Sequence, residues 1–182
     1  MKGKVYLIVV ALVCICMTGC YSSYTPRTVQ TLDTMMTSGR MEYYGAYYKQ
    51  IGVPYDVISL DLYSKGLGLN DEGKMEGVGT NLYISDIFVP TTDGTLPAGT
   101  YLSDTTANEM HFLRGLDYDG SYGGSYVLLM SESGYKVLPI TDGEMTVAYV
   151  GDTLVLDGSA KLRNTRQPYH FHYRNVLPTV RR

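Results

Sequence analysis

The feature that most constrains the fold is an alternation of apolar and polar side chains with a period of two, repeated between closely spaced turn residues. Residues 55–64 place Ile58, Leu60 and Leu62 on one face of an extended segment, and residues 81–89 repeat the alternation. Successive side chains of a strand point to opposite faces, so this period predicts strands. No long stretch of the chain body shows the 3.6-residue period of an amphipathic helix.

The second half of the chain predicts an antiparallel meander. Segments 125–130 and 135–140 flank the turn sequence SESG, which is typical of a hairpin loop. Segments 145–150 and 153–156 flank Gly151-Asp152, which suits a tight turn with positive φ. Connections this short leave no room for crossover helices, so we expect antiparallel pairing. Further strands are predicted at 41–49, 100–103, 109–113 and 169–173.

We therefore predict one all-β domain over residues 40–182. It should be an antiparallel meander of about eight to ten strands that forms a β-sandwich or a lipocalin-like barrel. Both architectures show period two, so the alternation does not separate them. Residues 20–39 are polar and contain Pro26 and Gly39, which predicts a tether, with a short helix at 28–36 as an option within it.

The first nineteen residues predict a leader peptide. Lys2 and Lys4 precede the run Val5–Met17, which is almost entirely apolar. A membrane-spanning helix needs about 20 such residues, so this run is too short, whereas the apolar region of a signal peptide has this length. The run leads into Thr18-Gly19-Cys20.

These small residues before Cys20 resemble the lipobox of bacterial lipoproteins. In that family a diacylglycerol is attached to the cysteine, the leader is cleaved before it, and the new N-terminus is acylated. The resemblance implies that Gly19 ends the leader and that Cys20 is lipidated, although Met17 stands where the family most often has leucine. Two or three acyl chains hold a protein stably on a membrane. The lack of acidic residues directly after Cys20 resembles lipoproteins of the outer membrane that face the periplasm.

Three short motifs in the body, LPAGTY at 96–101, GSYV at 124–127 and DGEMTV at 142–147, resemble small β-rich lipoproteins of anaerobic bacteria. The likeness supports the all-β class and carries over no catalytic residues. It is consistent with a protein whose role in the cell envelope is structural or one of recognition.

Cysteine and charge exclude several classes of protein. All three cysteines lie within the first 20 residues, so the body has no disulfide framework, cysteine-ligated zinc or cysteine nucleophile. Loss of Lys2 and Lys4 lowers the formal charge from -3 to -5, which argues against nucleic acid as a partner. Six basic residues and no acid follow Asp157, either as a solvated hairpin or as a contact for anionic lipid headgroups.

The chain has 18 tyrosines and no tryptophan. Tyrosine suits half-buried strands because its ring packs while its hydroxyl stays in water. The alternative is an exposed aromatic platform on which sugars stack. The residues to test for this platform are Tyr47, Tyr48, Tyr118 and Tyr122.

His170 and His172 would share one face of a strand, and His111 could add a third ligand from another strand, as an open zinc site requires. The alternative is that Tyr169, Phe171 and Tyr173 face the core and leave both histidines in solvent.

No Gly-x-Ser-x-Gly motif or complete calcium loop occurs, and no cofactor is predicted. We expect an envelope lipoprotein without catalytic activity, bound to the membrane through Cys20, whose partner is another envelope component. The alternatives are a domain that binds a glycan on tyrosines, a barrel that binds an apolar ligand inside, and a hydrolase that uses the histidines.

Overall fold

The computed structural model describes residues 31–118 and 121–182, and within them nearly all regular structure is β-strand. The strands are β1 (Met35–Gly45), β2 (Asp56–Ser64), β3 (Leu67–Leu69), β4 (Met75–Gly77), β5 (Gly79–Val89), β6 (Gly99–Asp104), β7 (His111–Leu113), β8 (Leu116–Tyr118), β9 (Ser121–Gly123), β10 (Tyr126–Ser131), β11 (Gly134–Val150), β12 (Thr153–Leu162), β13 (Tyr169–Asn175) and β14 (Thr179–Arg181). One turn of 3-10 helix covers Lys49–Ile51. The predicted all-β class is confirmed.

Ten of these strands form one sheet that closes on itself. Its order is β10-β11-β12-β13-β1-β2-β5-β7-β6, with β14 added to β1. The ends of this path meet because β5 and β11 are long enough to be shared. The first half of β5 and the first part of β11 both pair with β10, and their later parts pair with β7 and β6 respectively. Of the two predicted architectures, this closure is the barrel-like one.

The predicted hairpins are present. Ser131 pairs with Gly134 across the turn between β10 and β11, and Val150 pairs with Thr153 across Gly151-Asp152. Gly151 has φ +59°, the left-handed conformation expected there. The two strands predicted at 135–140 and 145–150 are one continuous strand, β11, which has a bulge between Ile140 and Asp142. A bulge bends a strand without ending its pairing.

The expectation of purely antiparallel pairing is wrong at three places. The pairs β1–β13, β1–β14 and β6–β7 are parallel. Strand β7 pairs only with the last three residues of β6, starting opposite Leu102, so the loop 105–110 has to carry the chain back by only a short distance. The Asp104 carboxylate holds this loop by accepting hydrogen bonds from the Thr105 N–H at 2.6 Å and the Thr106 hydroxyl at 2.7 Å.

The N-terminal part of the domain also departs from the prediction. Strand β1 begins at Met35, so residues 35–39 of the predicted tether belong to the sheet and Met35-Met36 are not helical. The strand ends at Gly45, which has φ +60°, so Tyr47 and Tyr48 lie in the following turn rather than in a strand. Residues 1–30, including Cys20, lie outside the part of the chain that the structure describes.

Apolar side chains fill the interior of the closed sheet. Ile58, Leu60 and Leu62 of β2 point inward, and none has any surface that water can reach, so no water-sized cavity lies against them. They pack in one cluster with side chains from the other long strands, among them Leu82, Ile84, Val127, Ile140, Leu156 and Phe171.

Candidate functional site

The outward face of β2 is buried almost as completely as its inward face, although its side chains are polar. Ser59, Asp61 and Tyr63 alternate with the inward leucines, and Asp61, the most exposed of the three, is only 8% exposed. The neighbouring strand β5 contributes Asn81, which has no exposed surface. A buried carboxylate is costly unless it is paired and hydrogen-bonded, so this face must supply partners.

Cross-strand register brings those partners together. Asp61 pairs with Arg40 of β1 on one side and with Tyr83 of β5 on the other, and Tyr83 pairs in turn with Tyr126 of β10. The rings of Tyr83 and Tyr126 lie 5.1 Å apart. Residues directly opposite each other in adjacent strands have their side chains in contact. The register therefore places a basic, an acidic and two aromatic side chains in one row.

Asp61 is the centre of the first polar cluster. One carboxylate oxygen accepts a hydrogen bond from the Asn81 amide at 2.7 Å. The other accepts the Tyr63 hydroxyl and lies 3.4 Å from the Arg40 guanidinium. Two buried atoms of this cluster, Arg40 Nε and Asn81 Oδ1, have no partner among the described residues, so the network is not fully satisfied.

Glu42 is the centre of the second cluster. It accepts the Tyr44 hydroxyl at 2.5 Å and lies 3.2 Å from Arg40, and Arg182 from the C-terminal end binds the same carboxylate. Burial raises the pKa of Glu42, but the hydrogen bonds from Tyr44 and Arg182 and the charges of both arginines outweigh it. The net effect is a pKa below the ordinary value of 4.5.

Burial and the neighbouring carboxylates keep the tyrosines protonated. Burial, then the hydrogen bond to Asp61, raises the pKa of Tyr63, and burial with Glu42 does the same for Tyr44. Burial and the hydrogen bond to Asp86 raise the pKa of Tyr48 to about 12. These phenols therefore donate to carboxylates at neutral pH, and they are poor candidates for a tyrosinate nucleophile or base.

Three tyrosines form a tyrosine cluster at the end of β1: Tyr44, Tyr47 and Tyr48. The Tyr47 ring meets the Tyr44 ring edge to face at 5.8 Å and the Tyr48 ring at 4.8 Å. Tyr48 donates its hydroxyl to Asp86 at 2.9 Å. Tyr47 itself is 62% exposed. The cluster therefore presents one exposed ring between two rings whose hydroxyls are fixed.

Tyr47 and Tyr48, which the sequence predicts as ligand-binding residues, thus lie together. Tyr122 lies elsewhere, beside Tyr135 in a separate cleft, and the side chain of Tyr118 is outside what the structure describes. The sequence interpretation missed Arg40, Asp61 and Asn81. A signal was available, because Asp61 with Tyr63 and Glu42 with Tyr44 are acid–tyrosine pairs at i and i+2, the spacing that shares one strand face.

The structure does not bring the three histidines together. His170 and His172 share the outward face of β13 with Tyr169, Phe171 and Tyr173 buried opposite, as the solvated alternative predicts. The register from β13 to His111 crosses β12, β11 and β6 before reaching β7. That path is four strand spacings of about 4.8 Å each. The predicted three-histidine zinc site is therefore not formed.

The remaining contacts of these histidines are local. His172 Nδ1 contacts the Asp157 carboxylate, and His111 Nδ1 lies 2.7 Å from the carbonyl oxygen of Glu109. Throughout residues 31–118 and 121–182, no group of three His, Cys, Asp or Glu side chains is placed to hold a metal ion. The contacts of His111 and His172 are therefore made with a residue two positions away and with the adjacent strand, respectively.

The basic C-terminal end is partly docked on the domain. Strand β14 pairs with β1, and the Arg181 guanidinium lies 5.2 Å from the centre of the Tyr43 ring. Arg182 binds Glu42 as described above. These two arginines are used in contacts within the chain, whereas Arg166 and Arg174 are exposed.

Across the described residues no helix is both long and apolar enough to cross a bilayer.

No protein family, curated protein or solved structure matches this chain.

Proposed function

We propose that the chain is a non-catalytic recognition protein of a bacterial cell envelope. A lipid on Cys20 anchors it to the outer membrane on the periplasmic side, and its β domain recognises another envelope component, with a glycan as the alternative ligand. The observation that carries the recognition role is the tyrosine cluster, in which Tyr47 is exposed while Tyr44 and Tyr48 are hydrogen-bonded to carboxylates.

A fixed aromatic ring is a good recognition element for two reasons. It offers a large contact area with few rotatable bonds, so little side-chain entropy is lost on binding. Tyr47 also packs edge to face against two anchored rings, which restricts it before any partner arrives. The neighbouring residue Ile51 is 76% exposed and extends the apolar surface of the same turn.

The packed interior favours recognition on the outer surface. An apolar ligand inside the sheet would need space beside Ile58, Leu60 and Leu62, and these side chains have none. Recognition by the polar outer face is also favoured over acid–base catalysis. The carboxylates of Asp61 and Glu42 already accept hydrogen bonds from tyrosine or asparagine and pair with arginine, so most of their capacity to accept a proton or a hydrogen bond is already used.

The anchor is tested by labelling cells with a fatty acid that carries an alkyne tag. The wild-type chain should incorporate the label and fractionate with the outer membrane. The Cys20→Ala variant should lose the label and accumulate with its leader uncleaved, because in the lipoproteins that the lipobox resembles the cysteine carries the lipid and the leader is cleaved before it. Labelling that persists in Cys20→Ala would disprove the anchor.

The recognition role is tested by screening purified residues 21–182 on a glycan array and against envelope extracts. Tyr47→Ala should reduce binding by about tenfold, the loss expected when one aromatic contact worth about 1.4 kcal/mol is removed. Tyr149→Ala is the matched control, because Tyr149 is also an exposed tyrosine (40%) but belongs to β11 and not to the cluster. If every ligand found in the screen binds Tyr47→Ala as tightly as it binds the wild type, the tyrosine cluster is not the binding site.

A further inference from the structure

A further pair of aromatic side chains lies on the outward face of the sheet. Tyr83 of β5 is followed by Ile84 of the apolar core, so the alternation along the strand directs Tyr83 outward. Tyr126 of β10 is paired with it and is followed by the core residue Val127. The two rings lie 5.1 Å apart, and both side chains are half-buried. We call Tyr83 and Tyr126 the tyrosine pair, and part of each side chain is open to a ligand.

The hydroxyls of the tyrosine pair differ from those of the neighbouring tyrosines. Tyr44 and Tyr48 each donate a hydrogen bond to a carboxylate, whereas the hydroxyls of Tyr83 and Tyr126 have no hydrogen-bond partner in the described chain. Burial, followed by the charges of Asp61 and Tyr83, raises the pKa of Tyr126 to about 12, so its phenol keeps its proton at neutral pH. A protonated phenol can both donate and accept a hydrogen bond. Both capacities of the tyrosine pair are therefore left for a ligand.

The tyrosine pair and the tyrosine cluster are neighbours on this face. Tyr48 of the cluster donates to Asp86, and Asp86 follows Tyr83 by three positions in β5, which is about 10 Å along a strand. Tyr83 is also a cause of the raised pKa of Tyr44 and Tyr48, after burial and the carboxylate that each hydroxyl contacts. The phenols of the two groups therefore lie within electrostatic range of one another. A ligand that contacts both groups has to be extended, because about 10 Å is the span of about three amino-acid residues.

The charges along this path disfavour an anionic ligand. Asp86 accepts hydrogen bonds from Tyr48 and Ser85 and is not paired with a cation among the described residues. Near Tyr83, Arg40 is already paired with the carboxylates of Asp61 and Glu42. A negatively charged polymer laid between the two groups of rings would therefore be repelled at Asp86.

The free hydroxyls favour a sugar over a peptide. Aromatic rings offer a flat apolar surface to the C–H face of a sugar, and a phenol that donates and accepts matches the hydroxyls of the same sugar. Proline-rich peptides also bind to grooves lined by aromatic rings. They offer carbonyl acceptors but few donors, so they would use only part of the hydrogen-bonding capacity of the tyrosine pair.

We infer that the tyrosine pair and the tyrosine cluster together bind one extended, neutral oligosaccharide. Tyr47 contacts one sugar unit, and the rings of Tyr83 and Tyr126 contact another unit further along the same chain. The two free phenol hydroxyls form hydrogen bonds with the sugar hydroxyls. This inference rests on the proposed recognition role of the tyrosine cluster, and it adds the class and the minimum length of the ligand.

The test is calorimetric titration of the full chain in micelles of a detergent that has no sugar headgroup. The neutral probes are two series from dimer to hexamer, one of N-acetylglucosamine and one of glucose. Hexagalacturonate is the anionic probe, and a proline-rich decapeptide is the peptide probe. In at least one neutral series the hexamer should bind about tenfold more tightly than the dimer, because only the longer ligand reaches both groups of rings. Hexagalacturonate and the peptide should each bind about tenfold more weakly than that hexamer.

Conservative variants test the free hydroxyls without removing the rings. Tyr83→Phe and Tyr126→Phe should each weaken binding of the hexamer about fivefold, the effect of losing a single hydrogen bond. Tyr47→Ala should weaken it about tenfold. The matched control is Tyr135→Phe, which removes an exposed phenol hydroxyl on the β10–β11 hairpin and should leave binding unchanged. Melting followed by circular dichroism should show that both variants of the pair are as stable as the wild type, since neither hydroxyl has a partner in the described chain.

Four results would overturn the inference. The first is no measurable binding of any neutral oligomer, and the second is equal affinity for dimer and hexamer. The third is tighter binding of hexagalacturonate or of the peptide, which would identify an anionic glycan or a protein segment as the ligand. The fourth is wild-type affinity for the hexamer in both Tyr83→Phe and Tyr126→Phe.

The variants also separate failure of this inference from failure of the proposed function. If Tyr47→Ala weakens binding of the hexamer while Tyr83→Phe and Tyr126→Phe do not, the proposed role of the tyrosine cluster stands and the extended site is wrong. If only the two phenylalanine variants weaken it, the tyrosine pair binds the sugar by itself. In that case both the extended site and the proposed role of Tyr47 are wrong.

Discussion

Both faces of strand β2 are buried, but they are held by different forces. The inward face, with Ile58, Leu60 and Leu62, contacts only a packed apolar core. The outward face, with Asp61 and Tyr63, is covered by polar and aromatic side chains that hydrogen-bond across strands. Apolar burial is stabilising without directional requirements, whereas a buried polar group is tolerated only while its partners stay in place.

This difference explains why the outward face is the better candidate for function. The core needs only side chains of suitable volume, and many combinations satisfy that condition. The outward face depends on particular pairs such as Asp61 with Asn81 and Glu42 with Tyr44. The bond between Glu42 and Tyr44 fixes one of the rings against which the exposed Tyr47 packs, and a rigid aromatic surface is what recognition requires.

The largest loss of stability is expected when an inward-facing side chain of β2 is shortened. Leu60→Ala should lower the free energy of unfolding by about 2–5 kcal/mol, because it removes buried methyl groups and leaves a cavity in a packed core. Urea denaturation followed by circular dichroism measures it. The control Leu102→Ala, at a residue that is 46% exposed, should cost far less. A loss below about 1 kcal/mol for Leu60→Ala would show that the interior is loosely filled.

Substitutions on the outward face should cost less stability, and their effects should depend on each other. Asp61→Ala should lower the free energy of unfolding by about 1–3 kcal/mol, since it leaves the Tyr63 hydroxyl buried without its acceptor. Tyr63→Phe should cost about 1 kcal/mol.

Coupling distinguishes a hydrogen-bonded layer from simple packing. The double variant with Asp61→Ala and Tyr63→Phe should lose less than the sum of the single variants, by about 0.5 kcal/mol or more. A double-mutant cycle in urea measures this difference. Strict additivity would mean that the two side chains do not depend on each other and that the contrast between the faces is only one of residue type.

The smallest effect is a pH dependence of stability at Glu42 of β1, which pairs with Ser59 on the outward face of β2. Because the pKa of Glu42 is lowered in the fold, its contribution to stability is complete above the ordinary value of 4.5 and is lost as the pH falls through the lowered pKa. In Glu42→Gln this acid-induced loss of the free energy of unfolding should be absent. We expect the loss to be about 1 kcal/mol or less, since both arginine partners are partly exposed.

Urea denaturation at a series of pH values from neutral to acid measures the slope. Arg182→Gln should remove part of the same slope, because Arg182 contributes to the lowered pKa both through its hydrogen bond and through its charge. An acid slope that is identical in wild type and Glu42→Gln would show that this cluster does not couple protonation to folding.

Short-range patterns predicted the parts of the fold that depend on local chemistry. The alternation around Leu60 predicted β2, and the turn sequences SESG and Gly151-Asp152 predicted two hairpins that the structure contains. The same patterns missed the parallel pairs of β1, because the alternation specifies which face a side chain takes but not which strand lies beside it.

The candidate site was only half predictable for the same reason. Tyr47 and Tyr48 were identified from their abundance and spacing, and they lie together in the structure. Asn81 reaches Asp61 across twenty residues of sequence, and Arg182 reaches Glu42 from the opposite end of the chain. No local pattern connects such residues.

The sequence by itself therefore determined the all-β class, the hairpins and the inward positions of Ile58, Leu60 and Leu62, since a period of two and turn chemistry act over a few residues. Only the tertiary structure decided that the sheet closes, that both faces of β2 are buried, and that the three histidines stay apart. Closure depends on β5 and β11 each pairing with two strands at once, a long-range register that strand alternation leaves undetermined.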